Sequence, residues 1–305
     1  MTNKANINSL ETFALAVKEY FMAVYQISDI RLNRVSKNNG VTLMGLCIMN
    51  SDSNIAPNIY LETFYEKYLN GKPLSEIAAE ILRINRQNQM EHFPSYPLQS
   101  FDMVMDKVVY RLVNKEKNTE RLHNIPYVDY MDLAVIFCIV LDETREGIAS
   151  ATITNDMMKC WNISIEELYG IAHKNTVKKF PVLLKNLEEI LLESIDDLRA
   201  HDIEEDKCAI PMYVVTNTTK LNGATVVLYE NQLRNLAECF GGDYFLLPSS
   251  IHETLLIPVT NATDNPSDLK EMVVDVNKAC VRAEEFLSDS VYRYFTDEGC
   301  LRIVA

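Results

Sequence analysis

The stretch Tyr244–Thr260 reads YFLLPSSIHETLLIPVT, two short apolar runs around a polar break. Tyr244–Leu247 and Thr254–Pro258 have the length and apolar content of buried strands. Between them, Pro248-Ser249-Ser250-Ile251-His252-Glu253 crowds hydroxyl, imidazole and carboxylate groups into one strand-to-strand connection. Connections of that kind are where a rigid scaffold presents chemistry.

On the C-terminal side, Asn261–Ser267 reads as a linker and Leu269–Ala279 as a helix with Met272, Val273 and Val276 inward. Val291–Phe295 and Cys300–Val304 close the chain as a hairpin around Asp297-Glu298-Gly299. On the N-terminal side, the order strand, turn, strand, helix occurs twice. Leu133–Leu141 leads through Asp142–Glu146 to Gly147–Thr154 and a helix starting near Asn155. Met212–Thr216 leads through Asn217–Asn222 to Gly223–Tyr229 and a helix from Asn231. This spacing predicts a repeated hairpin-plus-helix unit, with Asn38-Asn39-Gly40 as a looser third instance. Between the copies, Ser164–Lys174 and Pro181–Leu198 read as helices, and Glu188–Asp206 is rich in acid.

Nearer the N-terminus, Ser9 can cap a helix whose Leu10, Phe13, Ala14, Val17, Phe21 and Val24 recur at three- and four-residue intervals. Ile30–Lys37 and Val41–Met49 flank Asn-Asn-Gly, a pairing that tight hairpin turns favour because these residues tolerate positive φ. Ile59–Leu69 follows as a helix stopped by Gly71, and Pro73 restarts it through Asn88. Gln89–Ser100, with two prolines, reads as a hinge. A helix over Phe101–Leu122 would align Lys107, Arg111 and Lys115 on one face, either solvated or set against an acidic partner.

The 305 residues are enough for one large core or two modest ones without metal or disulfide staples. With 48% hydrophobic and 24% charged residues, the chain falls among ordinary globular proteins. Its net charge of -14 opposes binding to phosphate backbones or anionic lipid, so nucleic acid is a poor partner. Seven scattered cysteines with no C-x-x-C pair imply reduced thiols in a cytoplasmic protein and no zinc site. MTNKANINSLETF carries no apolar signal region, and Leu133–Leu141 is too short to span a bilayer as a helix.

Ser249-Ser250-Ile251-His252-Glu253 admits a nucleophilic reading in which His252 activates Ser250 and an acid orients the ring. Two facts oppose it. Neighbouring side chains on an extended strand point to opposite faces, so His252 and Glu253 cannot pair. The G-x-S-x-G elbow that lifts a serine out of a sheet is also missing. Otherwise Pro248, Ser249 and Ser250 build a turn and His252 is a hydrogen-bonded edge histidine. No H-E-x-x-H, phosphate loop or dinucleotide fingerprint occurs, and no cofactor is called for. Asp129 and Asp132 could hold a cation or satisfy loop amides. Tyr60, Tyr65, Tyr68, Tyr127 and Tyr130 suggest an aromatic surface for protein contact.

The chain resembles a family of uncharacterised bacterial proteins, classified as a domain of unknown function and common in gut anaerobes. The resemblance rests on Lys37-Asn38-Asn39-Gly40, Ile59-Tyr60-Leu61-Glu62, Asn175-Thr176, Thr216-Asn217, Gly223-Ala224, Leu247-Pro248-Ser249-Ser250 with His252-Glu253, and Leu287-Ser288-Asp289. It assigns no reaction, substrate or cofactor. Relatives of this kind are often associated with mobile genetic elements, which implies an accessory or host-interaction role.

The expected fold is α+β: an antiparallel or mixed sheet built from repeated hairpin–helix units, with a helical N-terminal lobe. Residues 1–125 would form the lobe and 126–305 the α+β domain. The expected function is that of a cytoplasmic, non-enzymatic binding or regulatory protein with a protein partner. A hydrolase using Ser250, His252 and Glu253 is the alternative, with Asn217, Asn175, Ser249 and Tyr60 as the binding residues.

Overall fold

The computed structural model describes residues 7–49, 56–88, 100–144, 147–190, 211–229, 231–260 and 265–305. It divides into two units, Met1–Tyr96 and Pro97–Ala305. The hinge read at Gln89–Ser100, apart from Ser100, and most of the acid-rich stretch lie outside the described residues.

The first unit is built on the helix Leu10–Val24. The Ser9 hydroxyl accepts from the Thr12 amide at 3.2 Å, and the Thr12 hydroxyl accepts from the Ser9 amide at 3.0 Å, so two orphan donors are satisfied reciprocally. Phe13, Ala14, Val17 and Phe21 form its buried stripe. That stripe shares a core with Leu46, Ile48 and Ile59 of a three-stranded sheet and with Ile77 and Ile81 of the helix Leu74–Gln87. Burying each large aliphatic or aromatic side chain stabilises by roughly 1.5–3 kcal/mol. The sheet holds β1 (Ile30–Ser36), β2 (Thr42–Ile48) and β3 (Ile59–Tyr60) in that order, all antiparallel. As its residue types require, the Asn-Asn-Gly turn puts Asn39 at φ 60° and Gly40 at φ 71°. Ile59 and Tyr60, expected to begin a helix, extend along β2 instead, and the helix starts at Glu62.

In the second unit, β4 (Val108–Asn114), β5 (Tyr127–Tyr130), β6 (Leu133–Thr144) and β7 (Gly147–Thr152) form a four-stranded antiparallel sheet with β6 at its centre. The helix expected over 101–122 is corrected here. Val108-Val109-Tyr110-Arg111-Leu112-Val113 is β-branched and aromatic, and it is buried on both alternations except at Arg111. Only short turns and Thr119–Leu122 are helical in that stretch.

A six-stranded antiparallel sheet completes the unit, in the order β13-β12-β10-β11-β9-β8. These strands are β8 (Val182–Asn186), β9 (Tyr213–Asn217), β10 (Tyr244–Leu247), β11 (Thr254–Pro258), β12 (Tyr292–Phe295) and β13 (Cys300–Ile303). Strand β8 corrects the helix read from Pro181 onward, where a helical turn begins only at residues 187–190. The strands read at 244–247 and 254–258 are the inner pair, and the closing hairpin is β12–β13. The helix Ile165–Lys179 packs Leu168 and Ala172 into a core shared by both sheets, with Tyr110, Phe137, Val215, Leu246 and Tyr292.

The α+β class with antiparallel sheets stands; the repeated unit does not. In the first copy β6, β7 and the helix Asn155–Trp161 follow as expected. In the second copy Gly223–Leu228 is a 3-10 helix, and β9 lies in the other sheet, between β11 and β8. The physical reason is close packing at Gly223. A Cβ there would lie 2.0 Å from the Thr216 hydroxyl and 2.4 Å from the His252 carbonyl oxygen. The chain therefore turns tightly across the end of β9 instead of pairing back along it.

Candidate functional site

The bend between β10 and β11 is anchored through its main chain by segments from elsewhere in the sequence. The Ser288 amide donates to the Pro248 carbonyl, the Leu287 amide to the Ser249 carbonyl, and the Ile251 amide to the Glu285 carbonyl. From the other side, the Ala224 amide donates to the Ile251 carbonyl and the Thr216 hydroxyl to the His252 carbonyl at 2.7 Å. Ser249 and Ser250 are buried. The motifs Thr216-Asn217, Gly223-Ala224, Pro-Ser-Ser-x-His-Glu and Leu-Ser-Asp, separate in the sequence, thus meet at one point.

The side chains at the bend divide differently from a catalytic triad. Ser250 Oγ accepts from the main-chain amide of His252 at 3.1 Å. His252 Nδ1 accepts from the Asn222 amide at 3.2 Å, and Nε2 lies 3.3 Å from Glu285 Oε1. An acceptor at Nδ1 leaves the ring hydrogen of neutral imidazole on Nε2, where it donates to Glu285. Glu285 also pairs with Arg282. Burial works against the charged carboxylate, but Arg282, with a smaller contribution from His252, holds Glu285 below its usual range. The acid at the imidazole is therefore Glu285, while Glu253 is exposed. Sequence separation concealed Glu285 and Asn222, and no local spacing rule could have joined them to His252.

The other expected residues are distributed through the fold. Asn217 closes its own turn, with Nδ2 donating to the Leu221 carbonyl at 2.9 Å and Oδ1 accepting from the Thr219 amide and hydroxyl. Asn175 Nδ2 donates to the Met105 and Val108 carbonyls at 2.7 and 2.9 Å, fixing the entry into β4. Ser249 lies in the bend beside Ser250. Tyr60 belongs to the first unit, where Lys37 Nζ sits 4.1 Å from the centre of its ring.

A second polar cluster is centred on Asp132. Asp132 accepts from the Ser288 hydroxyl at 2.6 Å, the Ser290 hydroxyl at 3.0 Å and the Tyr292 hydroxyl. Burial, with the charge of Asp132 beside it, pushes the Tyr292 hydroxyl well above its ordinary range. Asp129 instead pairs with Lys115 at 2.8 Å. Among the described residues, no group of three or more metal-ligating side chains occurs. Nor is any described helix long and apolar enough to cross a membrane.

Together these features define an α+β protein of three antiparallel sheets, in which the inner bend of the largest is tied down by its own chain. A family model described as a family of unknown function, DUF5688, matches residues 10–296, and the chain belongs to that family. No curated protein and no solved structure matches it.

Proposed function

We propose that this chain is a cytoplasmic binding protein that engages a protein partner, and that its Pro248–Glu253 bend is a structural joint. The observation that carries this reading is the use of His252. Both ring nitrogens are engaged, by the Asn222 amide and by Glu285, and the Ser250 hydroxyl faces a main-chain amide. A hydrolase would need that hydroxyl to give its proton to the imidazole.

Support for a binding role comes from the first unit. On the side away from its buried stripe, the helix Leu10–Val24 exposes Leu15 (54%) and Met22 (48%), an apolar surface beyond what folding uses. Leu15, Ala14, Leu32 and Met44 line a groove, with the Glu11–Arg34 ion pair also at its wall. An accessory role beside mobile elements, implied by the resemblance, is compatible with such a surface.

The test assays the full chain against a panel of esters and amides beside Ser250→Ala. Turnover that disappears in the variant would restore the hydrolase; its absence, with partner capture lost in Leu15→Asp and Met22→Asp, supports binding.

A further inference from the structure

Arg111 and Arg121 lie on one face of the four-stranded sheet. Arg111 stands directly opposite Ile136 across β4–β6, so both point to the same side. Cys138, two residues along β6, shares that side and stands opposite Thr152 of β7. Arg121 reaches the same place from the helix Thr119–Leu122, its guanidinium donating to the Thr152 hydroxyl at 3.0 Å. Register and the Arg121–Thr152 hydrogen bond thus place two half-buried arginines on the side of the sheet that carries Ile136 and Cys138.

Neither arginine meets a carboxylate among the described residues, although the chain carries 43 acidic residues against 29 lysines and arginines. Three other cations of this unit are matched: Lys115 holds Asp129, Arg293 holds Asp243 and Arg282 holds Glu285. Burial draws Arg121 below the ordinary guanidinium value; Cys138 opposes this, and the like charge of Arg111 adds least to it. Two like charges gathered on a partly desolvated surface without a counter-ion are unfavourable unless something neutralises them. A plainer account is that the arginine stems cover the apolar residues Val109, Ile136 and Cys138 and let their heads reach water. That account explains the stems but not two unpaired positive charges on one sheet face, one of them held on a hydroxyl.

The geometry points to an oxyanion site at Arg111, Arg121 and Thr152, shaped for a phosphate group that is free or carried on a small ester. Two guanidiniums match a dianion better than a single carboxylate, and each planar fork can donate two parallel hydrogen bonds to it. This site is independent of the protein-binding surface of the first unit and stands or falls separately.

The test is thermal unfolding of the full chain at neutral pH with inorganic phosphate or phenyl phosphate, against chloride at matched ionic strength. The expected result is a saturable rise in midpoint of a few degrees with phosphate, lost in Arg111→Met and Arg121→Met and weakened about tenfold in Arg111→Lys. A larger effect of phenyl phosphate would identify an ester as the source, and an equal effect the free ion. If a Met variant fails to fold, the wild-type arginine side-chain NMR signals decide, because phosphate must shift those of both Arg111 and Arg121. No response beyond that of chloride, or Met variants that respond like wild type, would overturn the site.

Discussion

Two polar clusters of the second unit treat charge in opposite ways. At the β10–β11 bend, His252, Glu285 and Arg282 form a chain in which each ionisable group has a partner inside the protein. On the sheet face, Arg121 donates to the Thr152 hydroxyl and Arg111 stands on the same side, with no acid paired to either among the described residues. The bend has the more suggestive sequence, yet its groups are consumed by the fold. The arginines, which no motif marks, are left with unspent capacity, so incompleteness is the better guide to a ligand than chemical variety.

The largest expected effect tests the bend as a joint. Gly223→Ala pushes a methyl into the Thr216 hydroxyl and the His252 carbonyl, and backbone must move to admit it. Urea denaturation should show a loss of about 3 kcal/mol or more, the scale of severe overpacking. A loss under about 1 kcal/mol would mean that the close approach is easily relaxed. Next in size is Asp132→Ala, which strips the acceptor from the Ser288, Ser290 and Tyr292 hydroxyls. A loss of about 2–4 kcal/mol is expected from the same measurement. Tyr292→Phe should cost less, because it leaves no donor unsatisfied.

Glu285→Gln sharpens the comparison through pH. Because the folded state holds Glu285 below its ordinary value, its contribution is present above the unfolded carboxylate value, about pH 4.3, and is lost as pH falls through the folded one. The variant should therefore lose about 1 kcal/mol near neutrality and show a shallower decline on the acid side. A denaturation series from pH 7 to about pH 3 compares the two profiles; superimposable acid limbs would show that the pair is not coupled to folding. The smallest effect belongs to the other cluster. In the absence of phosphate, Arg111→Met should be neutral or stabilising by up to about 1 kcal/mol, since it removes one of two like charges. A marked loss would show that the guanidinium already has a structural partner.

Local chemistry made part of this fold readable. The Ser9 cap and apolar stripe fixed the first helix, Asn-Asn-Gly fixed the first hairpin, and the apolar runs around Pro248–Glu253 fixed the inner strand pair. Where residues are apolar on both faces, as at Val108–Val113, periodicity does not separate a helix from a buried strand, and that helix was misread. Residues 223–228 misled for another reason. Their β-branched composition suits a strand, but the contact of Gly223 with Thr216 and His252 is a tertiary constraint invisible in the local string. At the candidate site, His252 and Glu253 precede β11 in the bend, so strand parity does not govern them, and the local sequence could not supply Glu285 or Asn222. A helical row with Lys107 and Lys115 was the reading for Arg111, whereas sheet register and the Arg121–Thr152 hydrogen bond put Arg121 on its side of the sheet.

The many-sided anchoring of the Pro248–Glu253 bend also has a kinetic consequence. Its main-chain partners come from residues 216–224 and 285–288, so the joint cannot close before those remote segments have arrived. Contacts of such long sequence separation are assembled late, after local helices and hairpins have formed. Weakening the bend should then accelerate unfolding while leaving the refolding rate nearly untouched, which makes it a latch on the lifetime of the native state more than a seed for reaching it.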